Sequence, residues 1–298
     1  MRGARRCRSG GAAVVAALLV VGCGGSGGSG GEVGSSSTSR GDDASRSAPT
    51  TAAGCVAEHP EELRIEVVRS IERESESYTQ GLVVDDGRLF ESGGRYGEST
   101  LRELNPDTGD ELRRVEVDPE LFAEGLGVAP DGSLVQLTWK EGTALVWDPD
   151  TFEIVRELRY DGEGWGLTTL ADGTLVMSDG SDTLVERDPD DFSVRREMPV
   201  SRVGGDADRL NELDFDGESV WANRYQTDEL VRIDPECWTV DAVVDLSALR
   251  SQARSIDDAA DDERFDVANG VAHIPGTDHY LVTGKWWPVI YEVRFVPT

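Results

Sequence analysis

The sequence has 298 residues, of which 58 are Asp or Glu and 29 are Lys or Arg, and its formal net charge is −29 at pH 7. Proteins that bind nucleic acid present a basic face, so this acidic excess argues against nucleic acid as a partner. The same charge favours substrates that carry a free ammonium group.

The first 23 residues have the pattern of an export signal. Four arginines between positions 2 and 8 precede an apolar run at 12–21, which is too short to span a bilayer. The run leads into Gly22-Cys23, as in a bacterial lipobox, where the cysteine becomes the acylated first residue. The alternative is an ordinary signal peptide with an incidental cysteine. We predict an exported lipoprotein of the cell envelope that is held at the membrane by its lipid alone.

Residues 24–57 are mostly Gly, Ser, Thr and Ala, which predicts a flexible tether. The remaining residues, 58–298, are predicted to form one folded domain. Acylation of Cys23 after removal of the signal would leave Cys55 and Cys237 as thiols. In an exported protein such a pair favours a disulfide, with two free buried thiols as the alternative.

A unit of two short strands joined by an Asp-Gly or Pro-Gly turn occurs five times in this domain. The first apolar position of each unit is, in turn, Leu82, Leu126, Leu167, Leu213 and Val271. A third strand that ends in Asp-Pro or Asn-Pro follows in most units, and then a fourth. Four-stranded units that recur roughly every 40–50 residues are typical of propeller blades. The sequence therefore predicts an all-β, five-bladed β-propeller.

The two ends of the domain suggest how the ring closes. An alternating strand at Leu63–Ile71 precedes the first unit, and the last unit ends at Ile290–Val296 with only three strands. We expect the N-terminal strand to complete the last blade as its outer strand, because this pairing would hide two sheet edges. The extra length before the fifth unit, 246–263, contains a helix-like stretch and an acidic loop.

In a propeller, the loops that enter the first strands meet at one mouth, so the residues there should converge. These residues are 78–80, 122–124, 163–165, 210–212 and 267–269. They supply one candidate acid/base, several amides and aromatic side chains.

Eight short motifs follow one another along the domain: YTQGL (78–82), FES (90–92), FAEGL (122–126), WGL (165–167), SDGS (178–181), LNEL (210–213), VWAN (220–223) and VTGKWWP (282–288). In this order they resemble the motifs of the papaya-type glutaminyl-peptide cyclotransferases. The resemblance implies a five-bladed propeller that converts the N-terminal glutamine of peptides or proteins to pyroglutamate and releases ammonia.

The resemblance also implies site residues. The family's catalytic carboxylate falls on Glu124, and its other pocket residues fall on Gln80, Phe122, Trp139, Trp165, Asn211 and Lys285. Two positions depart from the family pattern, because Tyr78 replaces a more usual Phe and Tyr225 replaces a Trp. The phenol of Tyr225 keeps a flat face but adds a hydroxyl that needs a partner, so substrate preference at that wall is in question.

The proposed reaction needs residues of these types. The α-amine of glutamine must attack its own side-chain amide, and this amine is largely protonated at neutral pH, since its pKa is roughly 7.7–8.0. Glu124 can take the proton and return it to the departing nitrogen. Lys285 or the Asn211 amide is available to stabilise the oxyanion, and Trp139 and Trp165 can form a slot for the flat ring.

Structural explanations exist for the same residues. A Glu-Gly pair is common in turns, tryptophans pack between blades, Lys285 could lie on a surface shelf of aromatic rings, and asparagines cap loops.

Two other functions also stay open. One is a metal-dependent, lactonase-like hydrolase with oxygen ligands from Glu124, Asn211 and Asn269, although such enzymes generally have six blades and the three histidines of this chain are not clustered. The other is a non-enzymatic binding propeller of the envelope. We expect a monomer that needs no cofactor, and a structural cation in the central channel is compatible with this expectation.

Overall fold

The computed structural model describes residues 55, 58–73, 77–256 and 266–298. The predicted signal segment with Cys23, the tether apart from Cys55, and the acidic loop at 257–263 lie outside these residues. Within the described part of the chain, no helix is long and apolar enough to cross a membrane.

Over the described residues the chain forms strands β1 (Glu61–Glu72), β2 (Thr79–Asp85), β3 (Arg88–Gly93), β4 (Thr100–Leu104), β5 (Glu111–Glu116), β6 (Ala123–Val128), β7 (Leu134–Thr138), β8 (Thr143–Trp147), β9 (Ile154–Arg159), β10 (Leu167–Thr169), β11 (Leu175–Met177), β12 (Thr183–Arg187), β13 (Val194–Pro199), β14 (Leu210–Phe215), β15 (Val220–Arg224), β16 (Glu229–Asp234), β17 (Thr239–Asp245), β18 (Ala268–His273), β19 (Tyr280–Gly284) and β20 (Val289–Pro297). One helix, α1 (Ser247–Arg254), follows β17.

Twelve of the strands form three four-stranded antiparallel sheets, in which β2–β5, β6–β9 and β10–β13 pair in sequence order. The other eight strands form one sheet in the order β14-β15-β16-β17-β1-β20-β19-β18. Each two-strand unit in the sequence is therefore a hairpin within a sheet. The prediction of an all-β fold built from four-stranded sheets is confirmed.

Strand β1 joins the two ends of the domain. It pairs antiparallel with β20 from Leu63 opposite Pro297 to Glu72 opposite Val289. Its pairing with β17 is parallel and covers only Glu61–Leu63. Just before β1, Cys55 forms a disulfide with Cys237 in the β16–β17 turn, across a sequence separation of 182 residues.

The first strands of the units form a closed ring. Along this ring β2 contacts β6, β6 contacts β10, β10 contacts β14, β14 contacts β18, and β18 contacts β2. Buried apolar clusters fill the space between neighbouring sheets, and one of them joins Phe90 and Leu101 to Leu126 and Leu145. Sheets arranged around a ring of inner strands are typical of a β-propeller.

Small residues let the inner strands approach closely. A Cβ at Gly81 would collide with the backbone of Leu126, so the position requires glycine. At the matching position of the fourth unit the chain carries Glu212 instead. Its carboxylate accepts hydrogen bonds from the backbone N–H groups of Leu82 at 3.1 Å and Val271 at 2.9 Å. The fourth unit thus ties β2 and β18 together at the centre of the ring.

Candidate active site

A bulge recurs at the same place in four of the first strands. The pairing with the second strand shifts between Thr79 and Gly81, Ala123 and Leu126, Leu210 and Leu213, and Ala268 and Val271. A β-bulge redirects side chains and is over-represented beside active sites. The bulged segments carry Gln80, Glu124, Asn211 and Asn269.

Nine side chains enclose a cavity of about 190 Å³ where the first strands begin. They are Tyr78, Gln80, Phe122, Glu124, Trp139, Trp165, Asn211, Tyr225 and Lys285. The structure thus brings together every residue that the sequence indicated for catalysis or substrate binding. Asn269 lies beside the cavity wall rather than in it, and it contacts Gln80.

Glu124 is buried, with 6% of its surface exposed. Its Oε1 accepts a hydrogen bond from Gln80 Nε2 at 3.0 Å. Burial raises the pKa of Glu124 well above its ordinary value. Lys285 opposes this rise, whereas the carboxylates of Glu163 and Glu141 add to it. A carboxyl group with a raised pKa is suited to accept and return a proton near neutral pH.

Lys285 is also buried, which excludes the alternative of a surface lysine. Its Nζ lies 4.7 Å from the centre of the Tyr78 ring and 4.8 Å from that of Tyr225. Burial lowers the pKa of Lys285, and the carboxylates of Glu124 and Asp266 counteract this effect. The cavity therefore holds an acid and a base whose pKa values both move towards neutrality.

Aromatic rings form the walls of the cavity. The rings of Phe122 and Trp139 lie 5.5 Å apart, and Trp165 meets Tyr225 edge to face at 5.4 Å. Both indole N–H groups donate to Glu163 Oε2, Trp139 at 2.7 Å and Trp165 at 3.0 Å. The sequence placed Glu163 at the mouth without a role, because its contacts depend on side-chain conformations that spacing does not reveal.

Asn211 offers a free acceptor. Its side chain is 2% exposed, and among the described residues its Oδ1 has no hydrogen-bond partner. A buried polar atom of this kind is costly unless a partner satisfies it. The backbone of Asn211 is fixed, since its carbonyl oxygen accepts the Ser178 hydroxyl at 2.6 Å. A bound substrate can therefore satisfy an acceptor whose position is already set.

Across residues 55, 58–73, 77–256 and 266–298, no three His, Cys, Asp or Glu side chains form a group that could hold a metal ion. The cavity instead pairs one carboxyl group with one lysine, between aromatic rings and amides. This set of groups suits proton transfer to and from a small polar substrate.

The chain was compared with known proteins. Residues 43–295 match the family model described as glutamine cyclotransferase. The glutaminyl-peptide cyclotransferase of Arabidopsis thaliana is 33% identical over 238 residues, which make up 77% of this chain and 71% of that protein. The crystal structure of Myxococcus xanthus glutaminyl cyclase has 32% sequence identity and a TM-score of 0.73, covering 80% of this chain and 100% of that one. The chain therefore belongs to the glutamine cyclotransferase family.

Proposed function

We propose that this chain converts the N-terminal glutamine of peptides or proteins to pyroglutamate, with Glu124 as the proton shuttle. The observation that carries this proposal is the position of Glu124, a buried carboxyl with a raised pKa in a small cavity beside a buried lysine. The chain would act as a monomer and without a cofactor.

In the first step the α-nitrogen of the substrate attacks its own side-chain amide carbon. A ring C–N bond forms, the amide oxygen becomes an oxyanion, and Glu124 takes the proton that the nitrogen loses. In the second step Glu124 returns this proton to the amide nitrogen. The oxyanion then collapses, the old C–N bond breaks, and ammonia leaves.

Three neighbouring side chains support these steps. The Gln80 amide holds the Glu124 carboxylate at 3.0 Å. The free Oδ1 of Asn211 can accept a hydrogen bond from the substrate's α-amine. The ammonium group of Lys285, buried in the same cavity, can stabilise the oxyanion at low local dielectric.

The size of the cavity limits what it can hold. About 190 Å³ gives room for the side chain and α-amine of one glutamine, since a single water molecule needs roughly 10–15 Å³ of cavity volume. The rest of a peptide would therefore lie outside the mouth. The walls formed by Trp139 and Trp165 would hold the side chain bent towards its own amine, which lowers the entropic part of the barrier.

The test is ammonia release from a dipeptide that begins with glutamine, with the full chain as enzyme. We expect Glu124→Gln to lower the rate by about 10²- to 10⁴-fold, whereas Glu120→Gln, at an exposed residue of the turn before β6, should leave it unchanged. Activity that disappears in EDTA would favour the metal-dependent hydrolase. A folded wild type that releases no ammonia would favour the binding propeller.

We also propose that the eight-stranded sheet comprises two blades, which gives five in all. One blade would be β14–β17, and the other β18–β20 with β1 as its outer strand. The long antiparallel pairing of β1 with β20, against a three-residue contact with β17, supports this division. Deletion of residues 1–72 should then prevent cooperative folding, as measured by circular dichroism during heating, whereas deletion of 1–54 should not.

We further propose that the protein is exported and anchored by a lipid on Cys23. The Gly22-Cys23 sequence supports acylation, and the Cys55–Cys237 disulfide supports an oxidising compartment. In a bacterial host, wild type should partition into detergent and incorporate labelled palmitate. Cys23→Ala should do neither, and a wild type that stays unlabelled would contradict the anchor.

A further inference from the structure

We propose that Glu163 is a positioning residue that holds the two indole walls, Trp139 and Trp165, at a fixed angle to each other. Its consequence for catalysis rests on the cyclisation proposed above. Together with Lys140, these three residues form an indole clamp.

A single oxygen atom forms the centre of the clamp. Glu163 Oε2 accepts the Nε1–H of Trp139 at 2.7 Å and that of Trp165 at 3.0 Å. The other oxygen, Oε1, lies 3.5 Å from Lys140 Nζ. This ammonium group in turn lies 3.6 Å from the centre of the Trp139 ring. Each member of the clamp therefore restrains another.

The two indoles come from different parts of the chain, so the backbone alone does not set their relative angle. Trp139 follows β7 of one sheet, and Trp165 precedes β10 of the next. Gly164 N donates to the carbonyl oxygen of Trp139 at 2.9 Å and brings the two segments together. The bridging carboxylate then fixes how the rings are rotated. A slot for a flat ring requires this rotation to be the same before and after the substrate binds.

Glu163 has a second effect that can be separated from the first. Its negative charge is one of the causes of the raised pKa of Glu124. A glutamine at position 163 would keep an acceptor oxygen for both indoles but remove the charge. An alanine would remove both. Position 163 therefore allows the hydrogen-bonding role and the electrostatic role to be measured apart.

The kinetic test compares Glu163→Gln, Glu163→Ala and the control Glu157→Ala, an exposed residue on β9, in the full chain. For Glu163→Ala we expect KM to rise about tenfold, since two hydrogen bonds to the walls are lost. For Glu163→Gln we expect KM within about threefold of wild type. Both variants remove a negative charge that raises the pKa of Glu124. Because Glu124 must be ionised to act as a base, the acidic limb of kcat/KM should then move to lower pH in both. The control should change neither quantity.

A second readout does not depend on activity. In ¹⁵N-labelled protein each of the seven tryptophans gives an indole N–H signal, and Trp139→Phe and Trp165→Phe assign the two of interest. Glu163→Ala should shift both signals and speed their exchange with water, whereas Glu163→Gln should leave both close to wild type.

Unchanged indole signals in Glu163→Ala would overturn the clamp, as would an equal rise of KM in both variants. Should the alanine variant fail to fold, Glu163→Gln decides the matter, because displaced indole signals in that variant also contradict the clamp. A wild type that releases no ammonia while the indoles respond as expected would overturn the cyclisation and not the clamp.

Discussion

Gln80 donates its amide N–H to Glu124 across two neighbouring first strands, β2 and β6, with Nε2 and Oε1 3.0 Å apart. The amide has only one correct orientation, because its Oε1 faces Asn269 Nδ2 at 3.4 Å. Asn269 is anchored in turn by the Thr79 carbonyl oxygen at 2.9 Å. A residue beside the cavity thus determines which end of Gln80 the Glu124 carboxylate meets.

Asn269→Asp is therefore expected to impair a site that it does not line. A carboxylate facing Gln80 Oε1 would turn the Gln80 amide round and present an oxygen to Glu124. We expect kcat/KM for a Gln-initiated dipeptide to fall about tenfold or more, comparable with Gln80→Leu, since a hydrogen bond to a charged group is worth about 1.5–3 kcal/mol. The measurement is steady-state kinetics of Asn269→Asp, with Gln252→Ala, a substitution at an exposed residue, as the control. Wild-type kinetics in Asn269→Asp would refute the orienting role.

The acidic limb of the pH profile should respond in opposite directions to two charge deletions. The Lys285 cation lowers the pKa of Glu124, and the Glu141 carboxylate raises it. Lys285→Met should therefore move the limb to higher pH, and Glu141→Gln to lower pH. The measurement is kcat/KM between pH 4 and 9. Shifts of the same sign would show that Glu124 is not the titrating base.

Substitutions of Tyr225 should distinguish the contribution of its aromatic ring to kcat/KM from that of its hydroxyl. The ring packs edge to face on Trp165 at 5.4 Å and lies beside Lys285 Nζ. Tyr225→Ala should lower kcat/KM about three- to tenfold, because an aromatic pair is worth about 0.5–1.5 kcal/mol beyond its buried area. Tyr225→Trp should keep the wall and stay within about threefold of wild type. A loss in Tyr225→Phe equal to that in Tyr225→Ala would instead assign the effect to the hydroxyl.

Asp214 should make the fold less stable as the pH rises. Burial raises the pKa of Asp214 to about 7, although its Oδ2 accepts the backbone N–H of His273 at 2.7 Å. A raised carboxyl pKa contributes stability that is complete below about pH 4 and is lost as the pH rises through about 7. Asp214→Asn keeps an acceptor oxygen and cannot ionise. The free energy of unfolding of Asp214→Asn minus that of wild type should therefore increase by roughly 1.4 kcal/mol for each pH unit over this range.

Urea unfolding at pH 4, 5.5 and 7 checks this expectation. The control is Asp216→Asn, because the pKa of Asp216 is lowered rather than raised, by hydrogen bonds that include the Trp221 indole. A lowered carboxyl pKa changes stability only as the pH falls below about 4, so the difference in free energy of unfolding between Asp216→Asn and wild type should stay nearly constant from pH 4 to 7. A constant difference between Asp214→Asn and wild type at all three pH values would contradict the buried titration.

The sequence indicated the cavity residues for a physical reason. Gln80, Glu124 and Asn211 occupy the same place in the first, second and fourth repeats, so their convergence follows once the repeats are arranged as a ring. Lys285 and Trp139 were identified only by family resemblance, although each directly follows the second strand of its unit, β19 or β7. Their burial and their contacts with neighbouring rings required the structure.

The hydrogen-bond partners of two carboxylates, Glu212 and Glu163, could not be predicted from the sequence. Glu212 occupies a position that is glycine in the other four units, which marks it as unusual. The backbone amides that it reaches, those of Leu82 and Val271, belong to strands far away in sequence. The bond of Glu163 to two indoles is likewise a property of side-chain rotation. Spacing along the chain specifies neither partner.

The pairing of β1 with β20 has a consequence for the timing of folding. Leu63 lies opposite Pro297, so the first described strand acquires its long partner only when the last one has been made. The entropy of closing so long a loop grows slowly with length, by about 0.6 kcal/mol per doubling, so it costs little stability. Non-local pairings nevertheless slow folding strongly. During synthesis, β1 would therefore remain an unpaired strand until β20 has been made, and the pairing of β1 with β20 would be the slow step.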